Sequence, residues 1–257
     1  MDTYYKYEGL EASLYDQLDE LSEFEDYSFY RWIVENGDSP VLDVGCGTGR
    51  ILIPMAQDGI DIDGLEASPE MTTICREKVS DLGLKPKIHE ADMRSFSIDR
   101  KYGTILIPGF TIQLLSEEDA LASLTRCREH LKPKGQVVVS SFVPWEMIHD
   151  GRESSDWYER KRFETEEGDL LAKAMQSWRL DHCEQKLELL NRYHRYDQVS
   201  GEILQTQETS MLLMWRLPYD LMKLLEKAGF ESPELYGDFR FDGCDPDSES
   251  LVCVGRQ

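Results

Sequence analysis

Two hydrophobic patterns alternate along the first half of this chain. Between residues 41 and 142, short apolar runs of four to seven residues are separated by longer segments in which apolar residues recur every three or four positions. The first pattern predicts buried strands and the second predicts amphipathic helices, so this region has an α/β organisation. The five predicted strands are 41–44, 60–66, 87–91, 102–107 and 136–142.

The flanking regions have different patterns. Residues 4–36 carry leucines and aromatic residues at helical spacing, which predicts a lid of two amphipathic helices over residues 1–36. After Val143 and a charged stretch come three long runs with strand-like alternation, which predict an antiparallel meander inserted at 143–215. These runs are 169–181, 186–197 and 202–214. A helix over 219–228 and strands near 234–236 and 251–254 then complete the core.

The first core strand leads into a loop with three glycines, Gly45, Gly47 and Gly49. Glycines let the backbone turn sharply and approach a ligand where a Cβ would collide. The spacing differs from the Gly-x-Gly-x-x-Gly fingerprint of dinucleotide-binding proteins, because Arg50 occupies the sixth position. A phosphate loop would need Gly-Lys-Ser/Thr, which does not follow here.

A carboxylate is predicted at the tip of the neighbouring strand. Glu66 ends the second apolar run, and Ser68-Pro69 after it has the N-cap and first-turn residues that begin a helix. A carboxylate in this position can accept hydrogen bonds from both hydroxyls of a ribose. Alternatively, Glu66 is an exposed acid at a strand end in an acidic protein.

The run from Asp43 to Gly49 resembles motif I of the class I S-adenosylmethionine-dependent methyltransferases. The resemblance extends over nearly the whole chain and is closest over 41–142 and 217–236. It implies a Rossmann-like sheet of seven strands, mostly parallel with the last strand antiparallel. It also implies a core domain over 37–142 that is completed by 216–257, with the inserted meander acting as a substrate cap or a dimer surface.

The resemblance implies S-adenosylmethionine as the methyl donor and S-adenosylhomocysteine as the product. In this family the residue corresponding to Asp92 binds the adenine amino group, and the one corresponding to Met93 covers the ring. Tyr15 resembles a tyrosine in the family's N-terminal lid. The predicted cofactor-binding residues are Asp43, Gly45, Cys46, Gly47, Gly49, Arg50, Glu66, Ala67, Asp92, Met93, Pro108, Gly109 and Tyr15.

The acceptor site is predicted beyond the fourth strand and in the insertion. Its candidate residues are Phe110, Gln113, Trp145 and Trp178. Gln113 and Thr111 could instead cap the next helix, and the tryptophans could simply pack the meander. The catalytic residue is unknown; a base would help an amine acceptor to lose its proton. Weak candidates for this base are His149, His182, His194 and Glu146.

Composition narrows the class of partner. With 28 basic and 50 acidic residues, the net charge is −22, which argues against nucleic acid and against an anionic membrane surface. The six cysteines form no Cys-x-x-Cys pair, and no His/Cys/Asp cluster has metal-ligand spacing. The N-terminus has no signal-peptide pattern and no apolar segment is long enough to span a bilayer. We therefore expect a cytoplasmic protein without a metal.

These observations predict a methyltransferase that acts on a small molecule. Aromatic residues near carboxylates in the insertion could hold an ammonium group, which slightly favours an amine nitrogen as the acceptor. The alternatives are methylation of a small hydroxyl compound, a non-catalytic S-adenosylmethionine-binding protein and an NAD-dependent oxidoreductase. A homodimer is possible.

Overall fold

The computed structural model describes residues 5–18, 26–164, 170–246 and 248–257. The predicted lid residues 1–4 and 19–25, residues 165–169 of the predicted insertion and residue 247 of the predicted C-terminal segment lie outside the described residues. The described strands, numbered in chain order, are β1 Val41–Val44, β2 Ile62–Glu66, β3 Ile88–Glu90, β4 Tyr102–Ile107, β5 Leu131–Phe142, β6 Tyr158–Glu164, β7 Leu170–Asp181, β8 Lys186–Asp197, β9 Ile203–Met214, β10 Glu231–Gly237 and β11 Ser250–Arg256.

The described helices connect these strands in the predicted order. They are α1 Gly9–Ser13, α2 Tyr15–Leu18, α3 Asp26–Glu35, α4 Leu52–Gln57, α5 Pro69–Asp81, α6 Glu117–His130, α7 Trp145–His149 and α8 Pro218–Lys227, with a 3-10 helix at Thr111–Leu114. None of the helices in the described part of the chain has the length and apolarity needed to cross a membrane.

Seven strands form one sheet in the order β10-β11-β5-β4-β1-β2-β3. All neighbours from β5 to β3 pair in parallel, whereas β11 is antiparallel to both β5 and β10. The predicted seven-stranded sheet with its last strand antiparallel is therefore confirmed. The strand order reverses at β1, which has β2 on one side and β4 on the other.

Burial explains why the central strands are so apolar. All four residues of β1 and all six of β4 are buried, as expected for parallel strands that are covered on both faces. Phe29, Tyr30 and Ile33 of α3 pack with Val41 of β1 and Val254 of β11 in one hydrophobic cluster. The C-terminal strand is therefore part of the same core as the first strand.

Side-chain caps set the beginnings of two core helices. The Ser68 hydroxyl accepts the backbone N–H of Met71 at 3.3 Å, and Pro69 follows as the first residue of α5. Ser116 likewise accepts the N–H of Asp119 at 3.1 Å and begins α6. Thr111 and Gln113 therefore do not cap α6, contrary to one of the two predicted roles.

The structure corrects two details of the predicted strands. The meander has four described strands in the order β6-β7-β8-β9, and β6 comes from the stretch that we assigned only as charged. Charged residues are common on an edge strand such as β6. They hide the alternation of apolar and polar residues by which a strand is predicted. Strand β5 begins at Leu131, before the predicted turn at 132–135; Lys134 in that turn has a left-handed φ of 66°.

The described residues divide into two compact units. One contains 5–18 and 144–214, and the other contains 26–143 and 215–257. In the first unit, Leu10, Leu14 and Leu18 pack on Ala172 and Ala174 of β7. The predicted lid segment therefore contributes helices to both units, with α1 and α2 in the first and α3 in the second.

A buried carboxylate attaches α1 to the meander. Glu11 is 3% exposed and accepts hydrogen bonds from the hydroxyls of Tyr5, Tyr193 and Thr209, the last two at 2.8 and 3.1 Å. Burial raises the pKa of Glu11, while the hydroxyl donors oppose the shift. Nearby, the Gln207 side chain accepts the N–H of Leu10 at 2.5 Å and donates to the Glu8 carbonyl at 2.9 Å.

We predict that Glu11→Ala lowers the free energy of unfolding by about 2–3 kcal/mol, because it leaves buried hydroxyls without their acceptor. Glu8→Ala is the matched control, since Glu8 is exposed and its side chain makes no capping bond to α1. Urea denaturation followed by tryptophan fluorescence measures both. Equal stability of the two variants would contradict a stabilising role for the buried carboxylate.

Candidate functional site

The carboxyl ends of β1, β2, β3 and β4 meet at one edge of the core sheet, where the strand order reverses. In open α/β sheets, ligands bind in the crevice outside the strand ends at such a reversal. Most of the predicted cofactor-binding residues lie there. Five of them lie in the loop after β1, at 45–50; Glu66 ends β2 and Ala67 follows it; the others are at 92–93 after β3 and at 108–109 after β4.

The loop after β1 needs its glycines for backbone conformation. Gly45, Gly47 and Gly49 have φ values of 74°, 55° and 96°, in the left-handed region that other residues enter only at a cost. A Cβ on Gly45 would also lie 2.6 Å from a methyl carbon of Thr111. At Gly47 the only atom within 4 Å of such a Cβ is Cε of Met71, in ordinary van der Waals contact at 3.7 Å, so the backbone here is less crowded than at Gly45.

Glu66 connects this loop to the tip of β2. One carboxylate oxygen accepts the N–H of Gly47 at 3.0 Å, and the other accepts those of Ala67 and Ser68 at 2.8 and 2.7 Å. Burial raises the pKa of Glu66, whereas the three backbone donors lower it. The backbone adds a further link, because Gly45 donates to the carbonyl of Leu65 at 2.7 Å.

Asp43 places a second carboxyl group inside the same turn. It is fully buried, and among the described residues neither of its oxygens accepts a hydrogen bond of normal geometry. Burial raises its pKa to about 7, and the charge of Glu66 adds to this; Arg50 and the N–H of Leu52 act in the opposite direction. A buried acceptor of this kind is unusual in a folded protein and is typical of a functional site.

Two other loop residues direct their side chains elsewhere. The guanidinium of Arg50 forms a two-pronged ion pair with the buried Asp26 of α3, with N–O distances of 2.7 and 2.8 Å. The thiol of Cys46 packs with Leu52, Cys75 and Val79 between the sheet and the helices. Cys46 can therefore contribute backbone atoms to a ligand site, while its side chain belongs to the core.

Asp92 and Met93 follow β3, as predicted. The carboxylate of Asp92 is held by Arg94, whose Nη2 donates at 2.7 Å and whose Nε lies 3.1 and 3.0 Å from the two oxygens. Met93 is 9% exposed. The N–H of Ala91 donates to the Glu66 carbonyl at 2.9 Å, which places this segment directly beside the tip of β2.

The segment after β4 makes a tight left-handed turn. Gly109 and Phe110 both have φ values near 60°, and the N–H of Phe110 donates to Oγ of Ser140 at 3.1 Å. Gln113 is fully buried, and its amide makes two hydrogen bonds with the backbone of Phe142, at 3.1 and 3.0 Å. The structure thus gives the Gln113 side chain a partner within the protein, in place of a helix cap.

The remaining candidates lie in the other unit and are spread over several elements. Trp145, Glu146 and His149 are on α7, where the rings of Trp145 and His149 stack at 5.8 Å. His182 lies in the turn between β7 and β8, and His194 on β8 shares a hydrogen bond of 2.9 Å with Thr206. Trp178 is 4% exposed on β7, and Tyr15 contacts Tyr7 edge to face at 5.1 Å.

The structure adds three residues that the sequence analysis missed. Asp26 holds Arg50, Ser140 holds the turn at Phe110, and Arg94 holds Asp92. Only Arg94 has a local signal, because its backbone N–H bonds the Asp92 side chain two residues earlier in an Asx-turn. Within the described residues, His, Cys, Asp and Glu side chains form no group suited to a metal ion.

A family model of known proteins matches part of the core sheet region. Residues 41–135 match the family model of a methyltransferase domain. The resemblance seen in the glycine loop is therefore confirmed, and the matched region contains β1, β2, β3 and β4 with their site loops.

Two curated relatives modify amino sugars. The chain is 36% identical to a dTDP-3-amino-3,4,6-trideoxy-alpha-D-glucopyranose N,N-dimethyltransferase of Streptomyces venezuelae. The 119 aligned residues cover 46% of this chain and 48% of that protein. It is 37% identical over 106 residues to a dTDP-3-amino-3,6-dideoxy-alpha-D-glucopyranose N,N-dimethyltransferase of Streptomyces fradiae, covering 41% and 39%. The chain thus spans half or less of the length of these relatives.

Two solved structures match this chain over 95% or more of its length. An S-adenosylmethionine-dependent methyltransferase from Clostridium acetobutylicum has a TM-score of 0.75 at 15% identity and covers 95% of this chain and 96% of its own. A sugar N-methyltransferase from Streptoalloteichus sp. has a TM-score of 0.75 at 20% identity, covering 100% and 97%. These similarities establish the fold.

The buried carboxyl of Asp43 predicts a stability that depends on pH. Its folded-state pKa of about 7 lies above its ordinary value of 3.8, so the folded protein binds this proton more tightly. The resulting stability is present below about pH 4 and is lost as the pH rises through about 7. Asp43→Asn, which is neutral at every pH, should raise the free energy of unfolding at about pH 8 by at most about 4 kcal/mol, and much less at about pH 4.

Denaturation of the ligand-free protein at the two pH values measures this difference. Asp99→Asn is the control, because Asp99 is exposed. An Asp43→Asn effect of the same size at both pH values would mean that burial does not favour the protonated form.

Proposed function

We propose that this chain, which carries a methyltransferase domain over residues 41–135, transfers a methyl group from S-adenosylmethionine to the amine nitrogen of a small molecule. The observation that supports this most strongly is the arrangement around Glu66. Its carboxylate lies between the glycine loop after β1 and the tip of β2, within 3.0 Å of the Gly47 amide. A carboxylate in that position suits the two hydroxyls of a ribose.

The chemistry of the other groups fits an adenosyl sulfonium donor. Only Cε of Met71 lies within 4 Å of the Cβ position of Gly47, which leaves room for a ligand against the backbone. Asp92 can accept a hydrogen bond from an adenine amino group, and the thioether of Met93 is soft enough to pack on a purine ring. The buried acceptor of Asp43 suits an ammonium donor such as the one on an amino-acid moiety.

When bound, the donor supplies an electrophilic methyl carbon on sulfur. The protein's own part is positional, because the acceptor nitrogen must approach that carbon on the side opposite the leaving sulfur. Holding two reactants in such a geometry is worth roughly 7–11 kcal/mol of the barrier in favourable systems. Glu66 and the glycine loop fix the nucleoside end of the donor, and the left-handed turn at Gly109–Phe110 shapes the end of β4 next to it.

An amine acceptor is favoured on two grounds. The two curated relatives are named as N,N-dimethyltransferases of dTDP-linked amino sugars. The insertion also carries the aromatic residues Trp145 and Trp178, which we propose as acceptor-binding residues because aromatic faces bind cations. His149, His182, His194 and Glu146 remain candidates for the base that removes the proton from the acceptor.

The proposal also covers the protein's location and partners. All six cysteines are free thiols, which is consistent with the reducing environment of the cytoplasm. The net charge of −22 disfavours a nucleic-acid partner. A homodimer, with the meander as its interface, is part of the prediction from sequence.

Isothermal titration with S-adenosylhomocysteine tests donor binding. We expect Glu66→Ala to weaken binding at least about 100-fold, because hydrogen bonds to a charged acceptor are lost. Glu77→Ala on α5 is the control, since Glu77 is exposed. Absence of binding to the unmodified protein would refute the proposed function, whereas tighter binding of NAD(H) would favour an oxidoreductase.

Transfer of a labelled methyl group tests the acceptor. We expect label in nucleotide-linked amino sugars, free amino sugars or other small amines, and little in the matched compounds that carry a hydroxyl in place of the amine. Label confined to the hydroxyl compounds would contradict the amine assignment. Donor binding without transfer to any member of the panel would instead indicate a non-catalytic protein.

A further inference from the structure

Arg94 lies between two acidic side chains at the site edge of the core sheet. Its Nε and Nη2 contact the carboxylate of Asp92, and its Nη1 donates to Asp119 of α6 at 3.2 Å. The side chains of Arg94 and Asp92 are only 15% and 20% exposed, which limits the screening of this pair by water. The guanidinium thus ties the segment after β3 to the first turn of α6.

The geometry fixes the orientation of the Asp92 carboxylate. Oδ1 accepts the backbone N–H of Arg94 at 2.8 Å, in addition to its contact with Nε. Oδ2 receives Nη2 at 2.7 Å. Fork-like contacts of this kind are more specific in direction than a contact with an ammonium group, because the guanidinium is planar.

The same contacts suit the ionised form of the Asp92 carboxyl group. A carboxylate facing a guanidinium is favoured over its protonated form, and Asp92 likewise raises the pKa of Arg94 above its usual value. An ionised carboxylate can only accept hydrogen bonds. A base whose 6-position faces Asp92 must therefore present a donor there, as the 6-amino group of adenine does; the 6-oxo group of hypoxanthine is an acceptor, and the N1–H of hypoxanthine lies one ring position away.

We infer that Arg94 is a positioning residue for donor recognition, which orients the Asp92 carboxylate so that the site selects a 6-aminopurine over a 6-oxopurine. This inference rests on the proposed function. It assigns the selectivity for the base to an Asp92–Arg94–Asp119 network, in which Asp119 is the second anchor of the guanidinium.

The position of the network beside the ribose carboxylate supports this role. Glu66 pairs with Glu90 in the parallel register of β2 and β3, and Asp92 follows Glu90 by two residues. A nucleoside whose ribose contacts Glu66 would therefore place its base toward Asp92. Arg76 of α5 also contacts the β3 segment but does not hold Asp92. It donates a hydrogen bond to the carbonyl of Ile88 in β3 at 2.8 Å, and its side chain is half exposed.

Titration with S-adenosylhomocysteine and S-inosylhomocysteine tests the inference, since the two ligands differ only at the 6-position and the adjacent ring nitrogen. We expect the unmodified protein to prefer the adenine ligand by at least about 30-fold, in line with the strength of a hydrogen bond to a charged group. Arg94→Gln should reduce this ratio about tenfold, mainly by weakening the adenine ligand. Arg76→Gln makes the same change in charge and should leave the ratio unchanged.

Two further variants separate positioning from simple stabilisation. Arg94→Lys keeps the charge but cannot contact both acids as a fork, so it should restore part of the ratio. Asp119→Asn removes the second anchor and should lower the ratio less than Arg94→Gln does; it also serves if Arg94→Gln fails to fold. A ratio that stays unchanged in the Arg94 and Asp119 variants would overturn the inference while leaving the proposed function intact. Binding of neither ligand by the unmodified protein would overturn both.

Discussion

The candidate site depends on one carboxylate that is shared by three backbone amides. Glu66 accepts hydrogen bonds from Gly47, Ala67 and Ser68, so the end of β2 and the loop after β1 have a fixed relative position. The left-handed glycines make this approach possible, because the loop can turn its amide toward the neighbouring strand only with positive φ values. A ligand that binds at Glu66 therefore meets a loop that is already in place.

Two buried carboxyl groups at this site destabilise the folded protein when they are ionised. Asp43 and Glu66 are both buried acids whose pKa values are raised, mainly by burial, and the charge of Glu66 raises the pKa of Asp43 further. Arg50 is the cation that lowers the pKa of Asp43, yet its guanidinium is already paired with Asp26. Such uncompensated acids are found where a ligand supplies the missing donors, and a cationic sulfonium with an ammonium group would supply both charge and donors.

The parts of the fold that were predictable are those coded locally. The apolar run of β1, the glycine loop and the Ser68-Pro69 helix start each depend on neighbouring residues, and all three were located from sequence. Strand β6 was missed because its charged residues hide the period, and its pairing with β7 is irregular between Glu159 and Lys161. The pairing of Asp26 with Arg50 joins residues 24 positions apart, which no local pattern reveals.

The proposed donor-binding residues and two of the proposed acceptor-binding residues lie in different stretches of this chain. The methyltransferase-domain match ends at residue 135; of the acceptor candidates, Phe110 and Gln113 lie within it and Trp145 and Trp178 lie beyond it. The region that matches the methyltransferase domain thus contains Glu66 and the glycine loop, where we propose that the donor binds. In the other unit the meander has its own constraint, the buried Glu11 that attaches α1 to β8 and β9. Under the proposed function, acceptors could therefore differ between proteins of this fold through residues of the insertion, while Glu66 and the glycine loop keep the same role.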